Sequence, residues 1–275
     1  MSNVAKSPRN ISFRDRNWTA EQLKLAFHFY CQTPFGKLHS KNPEIIKLAT
    51  LIGRTPSALA MKLVNFASLD PSITDTGRRG LSGASALDRK IWDEFHADWE
   101  RLAVECEQLR SNLSTEKGMR ALPREEADHD FEPSDFTGET RQALVQQRIK
   151  QRFFRRAVLS SYRGRCCITG VSEARLLVAS HIVPWSVDKA NRLNPSNGLC
   201  LSAIHDRAFD AHLFTLSGEC RVVLSARLRL TKDAFLREVF WPIADRQIEF
   251  PERFLPGKTF IDHHRRATSD LDPLS

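Results

Sequence analysis

The chain of 275 residues has room for about two domains and a sizeable core. Its 41% hydrophobic and 27% charged residues exclude wholesale disorder, and no apolar run approaches the ~18 residues of a membrane span. Lys and Arg outnumber Asp and Glu by 41 to 33, and the resulting net charge of +8 favours a polyanionic partner.

Residues 1–16 read as a basic, disordered arm with no apolar block behind it. The expectation is therefore a cytoplasmic chain without a secretory signal or membrane attachment. Residues 17–113 read as helical. Thr19 caps a first helix carrying Leu23, Phe27 and Tyr30, which Pro34-Phe35-Gly36 ends. A second helix covers residues 43–52 and stops at Gly53. Thr55-Pro56 then restarts the chain as cap and first position of a third helix, residues 57–67.

This helix–Gly-Arg-Thr-Pro–helix arrangement has the spacing of a helix-turn-helix. Its second helix would enter a DNA major groove, with Arg54, Ser57, Lys62 and Asn65 as the groove-facing set. A plain three-helix bundle is the alternative. With a tryptophan opening the first helix and a Gly-Arg-Thr turn before the third, the segment resembles Myb or SANT-like domains.

Residues 70–85 are turn-rich, and residues 87–113 read as one long amphipathic helix whose Trp92, Phe95 and Trp99 belong to a core. Residues 114–139 read as an acidic interdomain linker. Within it, residues 124–139 hold seven acids and one Arg, whereas residues 140–168 hold eight Lys or Arg and no acid. The basic run falls on a helix over residues 139–162. There Arg148, Arg152, Arg155 and Arg156 either track a DNA backbone or dock onto the acidic linker.

β-like runs follow at residues 167–170, 176–182 and 198–201, then a short helix capped by Ser202. Residues 221–224 read as a strand and 231–237 as a helix. Residues 263–275, with His263-His264-Arg265-Arg266, read as a polar, disordered tail. The six cysteines include no Cys-x-x-Cys pair, which excludes a four-thiolate ribbon site and leaves reduced, buried thiols.

The informative stretch is Ala179-Ser180-His181-Ile182-Val183-Pro184-Trp185, then Asn194-Pro195-Ser196-Asn197-Gly198-Leu199-Cys200-Leu201, then Ser202-Ala203-Ile204-His205-Asp206-Arg207-Ala208-Phe209-Asp210. It resembles the HNH nuclease family, whose signature is a histidine ending one strand, an asparagine in the loop and a histidine on the next helix. Here those are His181, Asn197 and His205. Cys167-Ile168-Thr169-Gly170 and His212-Leu213-Phe214 extend the likeness to the HNH subgroup of bacterial restriction and antiphage proteins.

The resemblance implies an α+β chain: an all-helical N-terminal domain with the helix-turn-helix-like unit (17–113), and a C-terminal ββα-metal nuclease domain (140–262). It implies DNA as partner and phosphodiester hydrolysis as the reaction, which needs a base for water and a cation for the developing charge. His181 is the expected base and Asn197 the residue that fixes its spacing. His205 is the expected ligand of a divalent metal, with Ser180 as a weak second ligand and water and phosphate completing the shell. Many relatives carry Asp or His where Ser180 stands, so one of Asp206, Asp210 and His212 is the alternative ligand. Mg²⁺ suits an oxygen-rich shell, and Mn²⁺, Ni²⁺ or Zn²⁺ also suit an imidazole. Arg207 binds phosphate or makes a surface salt bridge. With one active centre per chain, a double-strand cut needs a homodimer or two nicks. Two other readings stay open: a DNA-binding protein with a decayed site, and an effector nuclease whose N-terminal half binds a protein.

Overall fold

The computed structural model describes residues 17–74, 83–116 and 138–271. The expected basic arm and most of the expected acidic linker lie outside the described residues. The N-terminal half is helical. Helix α1 (Ala20–Cys31) starts with a reciprocal cap between Thr19 and Gln22, and α2 (Pro43–Ile52) is capped by Asn42 and ended by Gly53 in the left-handed region. Helix α3 (Pro56–Ala67) is capped by Thr55, with a short turn, α4 (Pro71–Thr74), behind it. Phe27 of α1 is the hub of an aromatic core, 5.0 Å from Phe66 and 4.7 Å from Phe95 between ring centroids.

The single helix expected over residues 87–113 is two, α5 (Ala86–Ala97) and α6 (Trp99–Glu116). Asp98 breaks them with an extended backbone (φ −155°), and its side chain accepts from the Arg101 amide as the next helix begins. The break lets Trp99 turn inward, where it is 2% exposed. Periodicity alone does not reveal such a kink, because both helices present apolar residues to the same core.

Helix α7 (Gly138–Ser161) packs on α1 and α6 with one face and on the C-terminal strands with another. Its consecutive Phe153 and Phe154 serve the two sides. Phe153 stacks on His28 of α1, 5.1 Å away, and Phe154 faces the strand pair. A buried arginine, Arg253, seals the same seam by donating to the carbonyls of Tyr30 and Thr33 and to Ser160 Oγ. The halves thus share an extensive buried interface.

Residues 167–170, expected as a strand, form a tight turn. Gly170 takes φ 75° there and donates to the Cys166 carbonyl, while the Cys167 amide reaches Cys200. Beyond it, β1 (Leu177–His181) pairs antiparallel with β2 (Gly198–Ser202), placing His181 opposite Gly198. Helix α8 (Ala203–Asp210) leads on directly from β2. A second hairpin, β3 (Phe214–Leu216) with β4 (Val222–Leu224), is followed by α9 (Ala226–Arg229) and α10 (Ala234–Phe240). Residues 263–271 of the segment expected as a disordered tail belong to helix α11 (Lys258–Leu271), which packs on β3 and buries His264; residues 272–275 lie outside the described residues. The chain is α+β, helical in its first half with two small sheets in its second. Among the described residues no helix is long and apolar enough to cross a membrane.

Candidate active site

The β1–β2–α8 unit surrounds a cleft of about 430 Å³, walled by Ser180, His181, Trp185, Asp206, Asp210 and His212. His181 ends β1. Its ring lies on Phe154 with centroids 3.8 Å apart, and the edge contact to Trp185 is 5.6 Å. His181 Nε2 is 2.9 Å from the Arg192 carbonyl. A carbonyl only accepts, so Nε2 carries the proton and Nδ1 keeps the lone pair. Burial lowers the His181 pKa, opposed by the bond to the Arg192 carbonyl and by the charge of Asp206. The neutral ring is thereby favoured at physiological pH.

Asn197 is fully buried, and its amide closes the loop between β1 and β2. Oδ1 accepts from the Val183 amide at 2.8 Å, while Nδ2 donates to the carbonyls of Val183 (3.1 Å) and Asn191 (3.3 Å). The Ile182 amide also reaches the Asn197 carbonyl. Asn197 therefore fixes the strand exit on which His181 sits. Gly198 lets β2 lie against α7: a Cβ there would stand 2.4 Å from Val158 Cγ2.

His205 does not line the cleft. It is 3% exposed and packs between Phe214 and Phe240, with its ring centroid 5.4 Å from that of Phe240. Its Nδ1 bonds the Ser202 hydroxyl at 2.7 Å, which explains why Ser202 fails to cap α8. Its Nε2 is buried without a partner among the described residues. The reading of His205 as a surface ligand in the first turn is corrected. Neighbouring helical side chains diverge by ~100°, so when His205 points inward Asp206 points at the cleft.

Asp206 and Asp210 are four apart and share the cleft face of α8. Burial raises the pKa of both, and the Asp206 charge raises that of Asp210 further. The Ser180 hydroxyl, beside Asp206, favours its charged form, yet it is buried and short of a formed hydrogen bond. His212 joins them from a left-handed backbone (φ 53°), with Nδ1 bonded to Thr268 of α11 at 2.9 Å. His264 stacks on Phe209, 3.7 Å away, and is satisfied by Thr215 and the Phe209 carbonyl. Helix α11 is thus a wall of the cleft that the polar sequence 263–271 gave no reason to expect.

This donor set fits a hard divalent cation. Two carboxylates held against burial and an unpartnered hydroxyl offer oxygen ligands at one place. No three His, Cys, Asp or Glu residues gather at ligating distance among the described residues, so water and phosphate would complete the shell.

Of the residues expected to contact DNA in the N-terminal half, Arg54, Lys62 and Asn65 are occupied elsewhere, and Ser57 is exposed. Lys62 is buried against Asp88, with Nζ 2.9–3.0 Å from both carboxylate oxygens, and Asn65 donates to the Gly83 carbonyl. Arg54 binds Gln22 Oε1 and the Asn17 carbonyl and lies 4.8 Å over the Trp18 ring. The outward residues of α3 are Ser57, Met61 and Val64, which carry no charge. On α7, Arg155 holds the carbonyls of Leu177 and Ala174, bracing β1, and is not part of a backbone track. Arg148, Arg152 and Arg156 remain exposed or half-exposed on that helix, and Arg207 is exposed beside the two aspartates.

No curated protein matches the chain. Ser180, His181, Asn197, Asp206, Asp210 and His212 all fall within residues 166–217, which match the model of the HNH endonuclease family.

Proposed function

We propose that the chain is a divalent-metal-dependent DNA endonuclease that hydrolyses phosphodiester bonds in the cleft between β1 and α8. The observation that carries the reading is the bond from His181 Nε2 to the Arg192 carbonyl, which leaves Nδ1 as the acceptor at a cleft shared with two carboxylates. Nδ1 takes the proton of the attacking water, and the imidazolium so formed is stabilised by the Arg192 carbonyl and by Asp206. Asp206 and Asp210 would hold the metal, with the Ser180 hydroxyl next to them. When bound, the ion supplies charge for the scissile phosphate and the leaving oxygen. Asn197 keeps the base in place. Mg²⁺ suits this oxygen set best, with Mn²⁺ close behind. We also infer a setting in bacterial restriction or phage defence, which rests on the resemblance of Cys167-Ile168-Thr169-Gly170 and His212-Leu213-Phe214 to the HNH subgroup of such proteins.

The test is incubation of supercoiled plasmid with the purified full chain in Mg²⁺, Mn²⁺, Ni²⁺, Zn²⁺ or EDTA. Relaxed or linear product in a divalent metal and none in EDTA is expected. Intact plasmid in every metal would contradict an enzyme and favour a DNA-binding protein with a decayed site. Modified and unmodified phage DNA as substrates test the defence setting.

A further inference from the structure

Arg192 contributes its carbonyl to His181, but its side chain has a separate place. Nε donates to the Trp185 carbonyl at 2.8 Å, and the guanidinium lies 5.3 Å over the Trp185 ring, which stands nearly perpendicular to that of His181, 5.6 Å away. The two terminal nitrogens have no partner among the described residues. The nearest loop acid does not claim them: Asp188 spends its oxygens on the amides of Ala190 and Asn191 and on Asn191 Nδ2. A planar cation is therefore clamped by one nitrogen and one ring face, with its remaining fork of donors open beside the base.

We propose that Arg192, seated on Trp185, binds a backbone phosphate next to the scissile one, and so aligns the strand in the cleft. The inference rests on the nuclease reading above. A guanidinium fork matches two phosphate oxygens at once, and stacking fixes its plane before the ligand arrives. The half-exposed Trp185 and Arg192 leave the fork accessible from solvent. The sequence offered one cue: an arginine between two loop asparagines, with a tryptophan seven residues earlier.

Substitution of the side chain leaves the backbone carbonyl, and hence the His181 tether, in place. The experiment measures binding of a labelled duplex to the full-length chain in EDTA across a salt series, and cleavage kinetics in Mg²⁺. For Arg192→Ala, binding should weaken about ten- to hundredfold, with a log–log salt slope smaller by about one. KM should rise while kcat and its pH midpoint stay at the parent values. Arg192→Lys, which keeps the charge and loses the fork, should retain the slope and recover only part of the affinity. A parent that binds and cuts DNA, with slope and KM unchanged in both variants, overturns the clamp and leaves the nuclease reading standing. A parent that binds no DNA overturns both.

Discussion

The imidazole of His181 lies flat on the ring of Phe154, with centroids 3.8 Å apart and planes 7° apart. The stack fixes the ring in one plane and shields one face from water, so the proposed base depends on how closely β2 sits against α7. Gly198, opposite His181 in the sheet, sets that approach. Gly198→Ala would place a methyl 2.4 Å from Val158 and 3.0 Å from Phe154, forcing β2 outward. We expect a loss of about 1–3 kcal/mol in stability and a fall in cleavage of ~10²-fold from the displaced base. Adding Val158→Ala should recover part of both, as read by denaturant unfolding and initial rates. No recovery would show that the strand–helix contact is not what limits the site.

The aspartates and His205 should separate by measurement. Asp206→Asn and Asp210→Asn should lower divalent-metal affinity in calorimetry and reduce cleavage, with little change in thermal stability. His205→Ala should do the reverse: unchanged metal affinity and a loss of about 2–4 kcal/mol, from emptying a buried site between Phe214 and Phe240. Lost metal binding in a folded His205→Ala chain would return the ligand role to the histidine.

Lys62 should matter for folding and not for DNA. Its removal strands Asp88, which is 0% exposed, without its cation. Lys62→Ala should cost about 3–5 kcal/mol, the range for leaving one member of a buried pair uncompensated. The salt slope of DNA binding should stay that of the parent. A lower slope with full stability would put Lys62 at a phosphate.

How far the sequence could be read depended on which property each position expressed. Thr19 and Thr55 announced two helix starts, because caps act through backbone amides a few residues away. The motif singled out His181 and Asn197, and in the structure the Asn197 amide closes the loop between β1 and β2. Lys62, Asn65 and Arg155 were misread because charge or polarity suggests exposure, while their partners Asp88, Gly83 and Leu177 lie 26, 18 and 22 positions away. The facing of α8 was decided by Phe214 and Phe240, which claim His205 from outside the motif. The burial of His264 depends on Phe209 and Thr215, about 50 residues earlier, and nothing local signals it.

Acid should destabilise the N-terminal core through His28. Burial pushes its pKa down to about 3, with Arg110 and Arg156 adding to the effect. The folded state thus holds a neutral ring that the unfolded chain protonates below the ordinary imidazole value of ~6.5. The associated stability is complete above that value and is lost as pH falls through the window down to about 3. The slope from this group is about 1.4 kcal/mol per pH unit inside the window. His28→Leu should flatten the unfolding free energy against pH between 6 and 4 by about that amount. An unaltered slope would mean that His28 is charged in the fold.

His181 is proposed to take a proton from water in a cleft that binds DNA without it. The most direct measurement is cleavage and gel-shift binding by purified His181→Ala, shown to be folded by circular dichroism, beside the parent chain in Mg²⁺. We predict a rate lower by roughly 10²–10⁴-fold with DNA affinity nearly unchanged. Cleavage within a factor of about three of the parent, far inside the loss expected for a missing base, would contradict the mechanism.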